Sequence, residues 1–167
     1  KPDDERSYVR VLGLDGKHRT SRWIRSEYVS GPANFSKFKV VAPASRGHLG
    51  KLGDEPALIV GEPMLGEPKV AVTQTFITIG AFDNEGAARA GLAYIKSKFA
   101  RTMLGILKVT QHNPAAAWKY VPNQDFTSKS DIDWSKSLPE IDQQLYAKYG
   151  LDAEEIAFIE ENVKPME

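Results

Sequence analysis

The chain contains no cysteine, which excludes a disulfide framework and any thiolate metal site. Its three histidines, His18, His48 and His112, stand far apart, without the close pairing that metal ligands show. No apolar run reaches the length of a membrane span or a signal-peptide core, so a cytoplasmic protein with no membrane partner is expected. No glycine-rich loop follows a strand in the manner of a nucleotide-cofactor site, and no Ser or Thr sits in a nucleophile motif. Internal repeats and low-complexity tracts are absent as well. The segment alone shows no catalytic constellation.

What is present fits one globular domain: 167 residues, 41% hydrophobic and 26% charged, enough to bury a core. A start at Lys1 rather than Met is expected to mark a segment of a longer protein. Lys1 to Arg6 reads as a linker from an upstream catalytic region, and residues 7–167 as a single domain. The formal net charge is zero, but the two ends differ. From Arg6 to Lys51 ten basic residues stand against two acidic ones; from Asp125 to Glu167 eleven acidic residues stand against four lysines. A basic amino-terminal part with an acidic tail points to a polyanion-binding face and a solvating or partner-facing end.

The chain is organised around Val70 to Pro114. Val70, Val72, Phe76, Ile77 and Ile79 predict a strand, ended by Gly80. Asp83 is expected to cap a helix running from Asn84 to about Gln111, with Ala88, Leu92, Ile95, Phe99, Met103 and Ile106 forming its apolar stripe. Asn113-Pro114 closes it. Upstream, Ser7 to Leu14 and Arg19 to Val29 predict a hairpin turning at Asp15-Gly16, basic on one face. Lys37 to Pro43 is a third strand and Ala57 to Val60 a fourth; Gly61 to Pro68 is a turn-rich link. Ala115 to Tyr120 is a connector anchored by Trp118 and Tyr120. Short helices follow, one from Ser137-Leu-Pro139-Glu140 to Gly150 and one from Asp152 with Glu155 as a capping box. The expected fold is α+β, an antiparallel-rich sheet of four to five strands packed on one long helix and followed by two short carboxy-terminal helices.

Two catalytic readings arise. Asp54 with Glu67-x-Lys69 matches a metal-dependent nuclease pattern, in which carboxylates hold Mg²⁺ and the lysine orients a water. Pro68 inside the motif argues against a central strand there. Asn113-Pro114 suggests the motif with which amino-methyltransferases grip adenine, but Ala115 and Ala116 follow it, and a helix stop explains it better. The rest is a binding inventory: Arg19, Arg22 and Arg25 on the hairpin; Arg46, His48 and Lys51 on a glycine-rich loop; Gln74; and Lys108, Gln111, His112 and Asn113. Gln, Asn and Arg read base edges, while Lys and further Arg suit phosphates.

Several longer stretches share a further likeness. Thr73-Gln-Thr-Phe-Ile-Thr-Ile-Gly80, Lys96-Ser-Lys-Phe-Ala-Arg101, Lys108-Val-Thr-Gln-His-Asn-Pro114 and Val121-Pro-Asn-Gln-Asp-Phe-Thr127 are the first of them. Ser130-Asp-Ile-Asp-Trp-Ser-Lys136, Ile141-Asp-Gln-Gln-Leu-Tyr146 and Glu154-Glu-Ile-Ala-Phe-Ile-Glu160 complete the set. Together they resemble the carboxy-terminal region of bacterial type II restriction-modification proteins with an adenine-specific DNA methyltransferase domain, some fused to an endonuclease. The resemblance implies a target-recognition domain that holds double-stranded DNA while an upstream domain does the chemistry. S-adenosylmethionine, and Mg²⁺ for any nuclease, would belong to that upstream part, with no cofactor in this segment. Phosphate contacts are then expected from the Arg6–Lys51 face, and base contacts from the Arg46/His48 loop, Gln74 and Gln111 to Asn113. Lys98, Arg101 and Lys108 are secondary phosphate candidates, and the acidic tail should face away from DNA. The alternative is a docking module for the catalytic domain that never touches DNA.

Overall fold

The computed structural model describes residues 1–45, 52, 55–108 and 112–166. Among the described residues, six strands and five α-helices follow one another, with a 3-10 turn at Ser26–Tyr28 after the second strand. Strands β1 (Tyr8–Asp15) and β2 (His18–Arg25) form the amino-terminal hairpin. Next come β3 (Phe38–Pro43), β4 (Met64–Gly66), β5 (Val70–Val72) and β6 (Phe76–Phe82). Five helices complete the chain: α1 (Glu85–Lys96), α2 (Lys98–Leu107), α3 (Ala115–Trp118), α4 (Leu138–Tyr149) and α5 (Ala153–Asn162). The α+β class holds.

The expected single sheet is corrected to two three-stranded sheets, ordered β2-β1-β5 and β4-β3-β6. The run from Val70 onward is not one strand. It breaks at Thr73–Thr75, so that β5 pairs parallel with β1 while β6 pairs antiparallel with β3. Met64–Gly66, inside the stretch read as a link, pairs with β3. Nor does Gly80 end β6: it lies within the strand at φ +76°, beside a register shift opposite Phe38 and Val40.

Strand β3 is the middle of the molecule. Successive side chains on a strand point to opposite faces. Val40 joins the core of Tyr94, Ile95, Phe99, Ile141, Leu145 and Ile159. Val41 joins Leu12 and Phe76, with Met64, Val70 and Val72 packed around them. The β4-β3-β6 sheet therefore has helices on one face and the hairpin sheet on the other, which is why Lys39 to Ala42 are all buried. A lysine survives there because the Lys39 ammonium donates to the carbonyls of Asn34, Phe35, Lys37 and Glu67 at 2.9–3.3 Å. Burial pulls its pKa below the ordinary lysine value.

The expected long helix is corrected to two. Ser97 is extended (φ −59°, ψ 147°) and serves as C-cap of α1 and N-cap of α2. Its hydroxyl accepts from the Ala100 N–H at 3.1 Å and donates to the Tyr94 carbonyl at 2.7 Å. The break shifts the buried face: Phe99, Ala100 and Leu104 are inside, whereas Ile106 is 62% exposed. The first helix is capped by Asn84, which accepts from the Ala87 N–H, rather than by Asp83, whose carboxylate pairs with Lys37. The second ends at Leu107 and not at Asn113-Pro114.

The fourth expected strand is also corrected. Ala57 makes one parallel bridge to Val163, and the Val60 N–H bonds back to the Leu58 carbonyl at 2.7 Å, a γ-turn around Ile59 at φ +64°. Ala57, Ile59 and Val60 are buried with Ala42, Leu104, Ala117 and Met166. The apolar run is thus core filling rather than ladder. Trp118 packs into the core, but Tyr120 is 61% exposed and anchors nothing there. The two terminal helices follow the local signals. Both capping boxes, Ser137/Glu140 and Asp152/Glu155, are formed, and Gly150 ends α4 in the left-handed region.

Candidate nucleic-acid interface

Strand β2 carries three of the sequence-predicted residues, and its register decides where they lie. Residues directly opposite in an antiparallel pair share a face. Arg19, opposite Leu14, and Arg25, opposite Tyr8, lie on one face with Trp23, opposite Arg10. Arg22, opposite Val11, lies on the other with Ile24, opposite Val9. The single basic face expected for the hairpin is corrected to two faces that each carry arginine.

Each arginine is already oriented. Arg19 sits over the Phe76 ring at 5.8 Å and donates to the Glu62 carbonyl. Arg22 pairs with Asp15 at 2.9 Å, and Arg25 pairs with Glu27 at 3.4 Å while stacking on Tyr28. All these ion pairs are exposed, so each contributes little to stability, and a polyanion could replace the acidic partner. Trp23 and Tyr28 are themselves large exposed side chains. Lys17 and His18 are exposed at the hairpin tip beside these arginines, and the Asp15-Gly16 turn that presents them is visible in the sequence.

Gln74 lies exposed in the turn between β5 and β6. That turn is braced by the 2.7 Å contact between the Thr73 and Thr75 hydroxyls and by a bond from the Phe76 N–H to the Thr73 carbonyl. It is tied to the hairpin where the Thr73 N–H donates to the Leu12 carbonyl, and to β3 where the Ala44 N–H donates to the Thr75 carbonyl. Ala44 in turn accepts from the Asn113 N–H, and Ser45 bridges to His112, which is exposed. Three chain segments therefore run side by side at the end of β3. Neighbouring segments sit about 4.8 Å apart, so the backbones at Gln74 and His112 are roughly 10 Å apart. The structure brings together Arg19, Gln74, Ser45 and His112.

Other expectations are not met. Lys108 is buried, its ammonium donating to the Ile59 carbonyl at 2.6 Å. Asn113 is buried, and its amide donates to the Pro43 carbonyl. Both are structural groups rather than surface contacts. The same correction applies to Arg101, which is 1% exposed, and to Lys98, which pairs with Glu160. Arg46, His48, Lys51 and Gln111 fall outside the described residues.

Of the residues in the nuclease pattern, Glu67 and Lys69 lie among the described ones. Glu67 to Lys69 is a turn between β4 and β5, with Lys69 at φ +59° and the Glu67 carboxylate paired with Arg10. Asp54 lies outside the described residues. Among the described residues, no group of three or more His, Asp or Glu could hold a metal ion, and no helix is long and apolar enough to cross a membrane.

A cavity of about 700 Å³ lies elsewhere, between α1 and the 118–127 segment, lined by Phe82, Tyr94, Trp118 and Phe126 among others. Its charged lining groups, Asp83 and Asp125, are acidic. A phosphate would not be held there. Comparison with known protein families, with curated proteins and with solved structures finds no match.

Proposed function

We propose that this chain is a DNA target-recognition domain of a restriction-modification adenine methyltransferase, or of a methyltransferase–endonuclease fusion. It binds double-stranded DNA in the cytoplasm while a separate upstream domain supplies the chemistry, S-adenosylmethionine and any Mg²⁺. The observation that carries this reading is the distribution of charge across the layers. The hairpin with Arg19, Arg22 and Arg25 packs on the Val41 face of the middle sheet. The helices α4 and α5, the latter capped by Asp152 and carrying Glu154, Glu155, Glu160 and Glu161, pack on the Val40 face. A polyanion would approach the first side and be repelled from the second. The approach of Gln74 to His112, with Arg19 nearby on the Phe76 ring, supports DNA contact on that same side, and the resemblance of the sequence stretches supports the class of protein.

The test is binding of the chain to a mixed-sequence duplex across a salt series. Affinity should fall linearly on a log–log plot, with a slope of about −0.9 per phosphate neutralised. A chain with no affinity at low salt would remove the DNA reading. It would favour the docking module, for which one observation speaks. Exposed Ile106 and Phe158 line a mostly apolar hollow of about 340 Å³ between α2 and α5, a contact surface of the kind partners cover.

A further inference from the structure

We propose that the hairpin beyond Leu12 is a two-stranded ribbon that enters the major groove of double-stranded DNA. Arg22 and Gln74, at the root of the ribbon, are the base-edge readers, and Lys17 and Arg19 hold the flanking phosphates. This inference rests on the DNA-binding reading and specifies the element that does the reading.

Three observations carry it. First, β5 supports β1 only at Arg10, Val11 and Leu12. From Gly13 the paired strands continue alone to the Asp15–His18 pair that closes the hairpin. Every residue from Leu14 to Arg19 is exposed. Apart from Arg19, which leans on the Phe76 ring and donates to the Glu62 carbonyl, a two-stranded ribbon of this kind buries too little to stabilise itself, so the rest of its sequence is not explained by packing. Its cross-section matches a major groove about 12 Å wide, which admits an α-helix or a two-stranded ribbon and displays a distinct pattern for every base pair.

Second, the tip is built to be narrow. Gly16 adopts φ +60° in a two-residue turn, and a Cβ added there would meet nothing within 4 Å. The glycine therefore serves the turn geometry rather than a close contact. Opposite Thr20 stands Gly13, where a Cβ would approach the Thr73 methyl at 3.2 Å. The Thr73–Thr75 turn, with exposed Gln74 at its centre, is thereby held against the root of the ribbon.

Third, the charge suits a groove. The single acid of the ribbon, Asp15, is paired with Arg22, while Lys17 and Arg19 carry the excess. A carboxylate that braces an arginine keeps its planar fork fixed, and bidentate recognition of guanine needs that fork fixed.

The experiment compares the 167-residue chain with the variants Lys17→Ala/Arg22→Ala and Gln74→Ala, and with Lys136→Ala, a control on the helix side. Each is titrated onto a mixed-sequence duplex at low salt, over a salt series, and under dimethyl sulfate, which methylates guanine N7 in the major groove. The substituted residues are exposed, and an unchanged Tm shows that the fold is kept. For the double variant the salt slope is expected to shrink by about 1–2 and affinity to fall at least about tenfold. Protection of N7 should appear with the natural chain and be lost with the double variant. Gln74→Ala should leave the slope and the guanine N7 protection unchanged and lower affinity, since glutamine pairs with an adenine edge; an unchanged affinity would remove Gln74 from the readers. If the natural chain binds but slope and N7 protection are the same in the double variant, the ribbon is overturned while the DNA reading stands. If the natural chain does not bind, the DNA reading fails and the ribbon with it.

Discussion

The carboxylate of Asp142, on α4, accepts the backbone N–H of Phe99 at 2.9 Å and that of Lys98 at 3.0 Å. A side chain from one helix thus caps the first turn of another. The first N–H groups of any helix lack partners within it, and in a buried helix end the deficit must be met by the tertiary structure. Asp142 and Ser97 meet it here, so what reads as one long helix is stable as two. The buried carboxylate lies where the α2 macrodipole favours negative charge, but burial still pushes its pKa up to about 6, against the two backbone donors and the Arg101 guanidinium that pull it down.

That shift makes stability depend on pH with a definite sign. The native state binds the Asp142 proton near pH 6, whereas the unfolded chain releases it near 3.8. Between these values the folded protein holds more protons, so this group's contribution to stability declines as pH rises through the window, by at most about 3 kcal/mol. Surface acids with lowered pKa, such as Asp83 and Glu140, act with the opposite sign, and comparison with Asp142→Asn cancels them. Urea unfolding from pH 4 to 7 should show the natural chain ahead of Asp142→Asn at the acid end and the gap closing towards neutrality. A gap that does not change with pH would mean that Asp142 does not titrate there.

Arg101 should tolerate no replacement. Its guanidinium donates to the carbonyls of Lys96, Ser97, Leu58 and Lys164 at 2.7–3.3 Å, tying the helix break to the Ile59 turn and to the chain after α5. Lysine keeps the charge but not the planar fork. Arg101→Lys should lower unfolding stability by about 2–4 kcal/mol, since each buried carbonyl left unpaired costs roughly 1–3. Chemical denaturation of the variant measures it directly.

These two residues also show what could be read in the sequence and what could not. Caps closed by near neighbours are local: Asp152 with Glu155 was legible as a capping box, and Ser137 to Glu140 as a helix start. The break at Ser97 depends on Asp142 in a later helix, and no periodicity contains it: the apolar stripe continues across the break. Ala57 to Val60 has the composition of a strand, but Arg101 and Lys108 occupy its carbonyls at Leu58 and Ile59, so it lacks a full ladder. At the candidate site the hairpin was legible from its alternation and the Asp15-Gly16 turn. The face carrying each arginine depends on register, and the approach of Gln74 to His112 depends on Ala44 between them. Lys108 and Asn113 have the residue types of nucleic-acid contacts, yet buried backbone carbonyls claim both.

Gly91 offers a contest between two effects of known size. Alanine is favoured over glycine within a helix by about 1 kcal/mol. A Cβ at Gly91 would nevertheless lie 2.5 Å from the Phe82 ring, which Gly80 crowds from another side and Phe126 meets edge-on at 5.6 Å. Overpacking typically costs 1–3 kcal/mol, so Gly91→Ala should be destabilising by about 1–2 kcal/mol despite its better propensity. The double variant with Phe82→Leu should be less destabilised than the sum of the two single changes, because the smaller side chain removes the clash. Additivity in that cycle would place the cost elsewhere.

The pair Asp15–Arg22 allows the DNA-facing reading to be tested by a gain. Both side chains are largely exposed, so the pair contributes little to folding, and Asp15→Asn should leave Tm within the range of ordinary surface changes. Its effect on DNA binding is expected to be larger. Removing the acid releases Arg22 to a phosphate and deletes a repulsive charge at the hairpin tip. Non-specific affinity at low salt should therefore rise several-fold, and the salt slope should steepen by about 1. The same change removes the brace that orients the guanidinium, so discrimination between a recognised site and random duplex should fall even as overall binding tightens. Measured on both duplexes, the two affinities should move closer together. If Asp15→Asn instead weakens binding to every duplex, the aspartate itself contacts the DNA, as a carboxylate accepting from a cytosine amino group does, and Arg22 is its support rather than the reader.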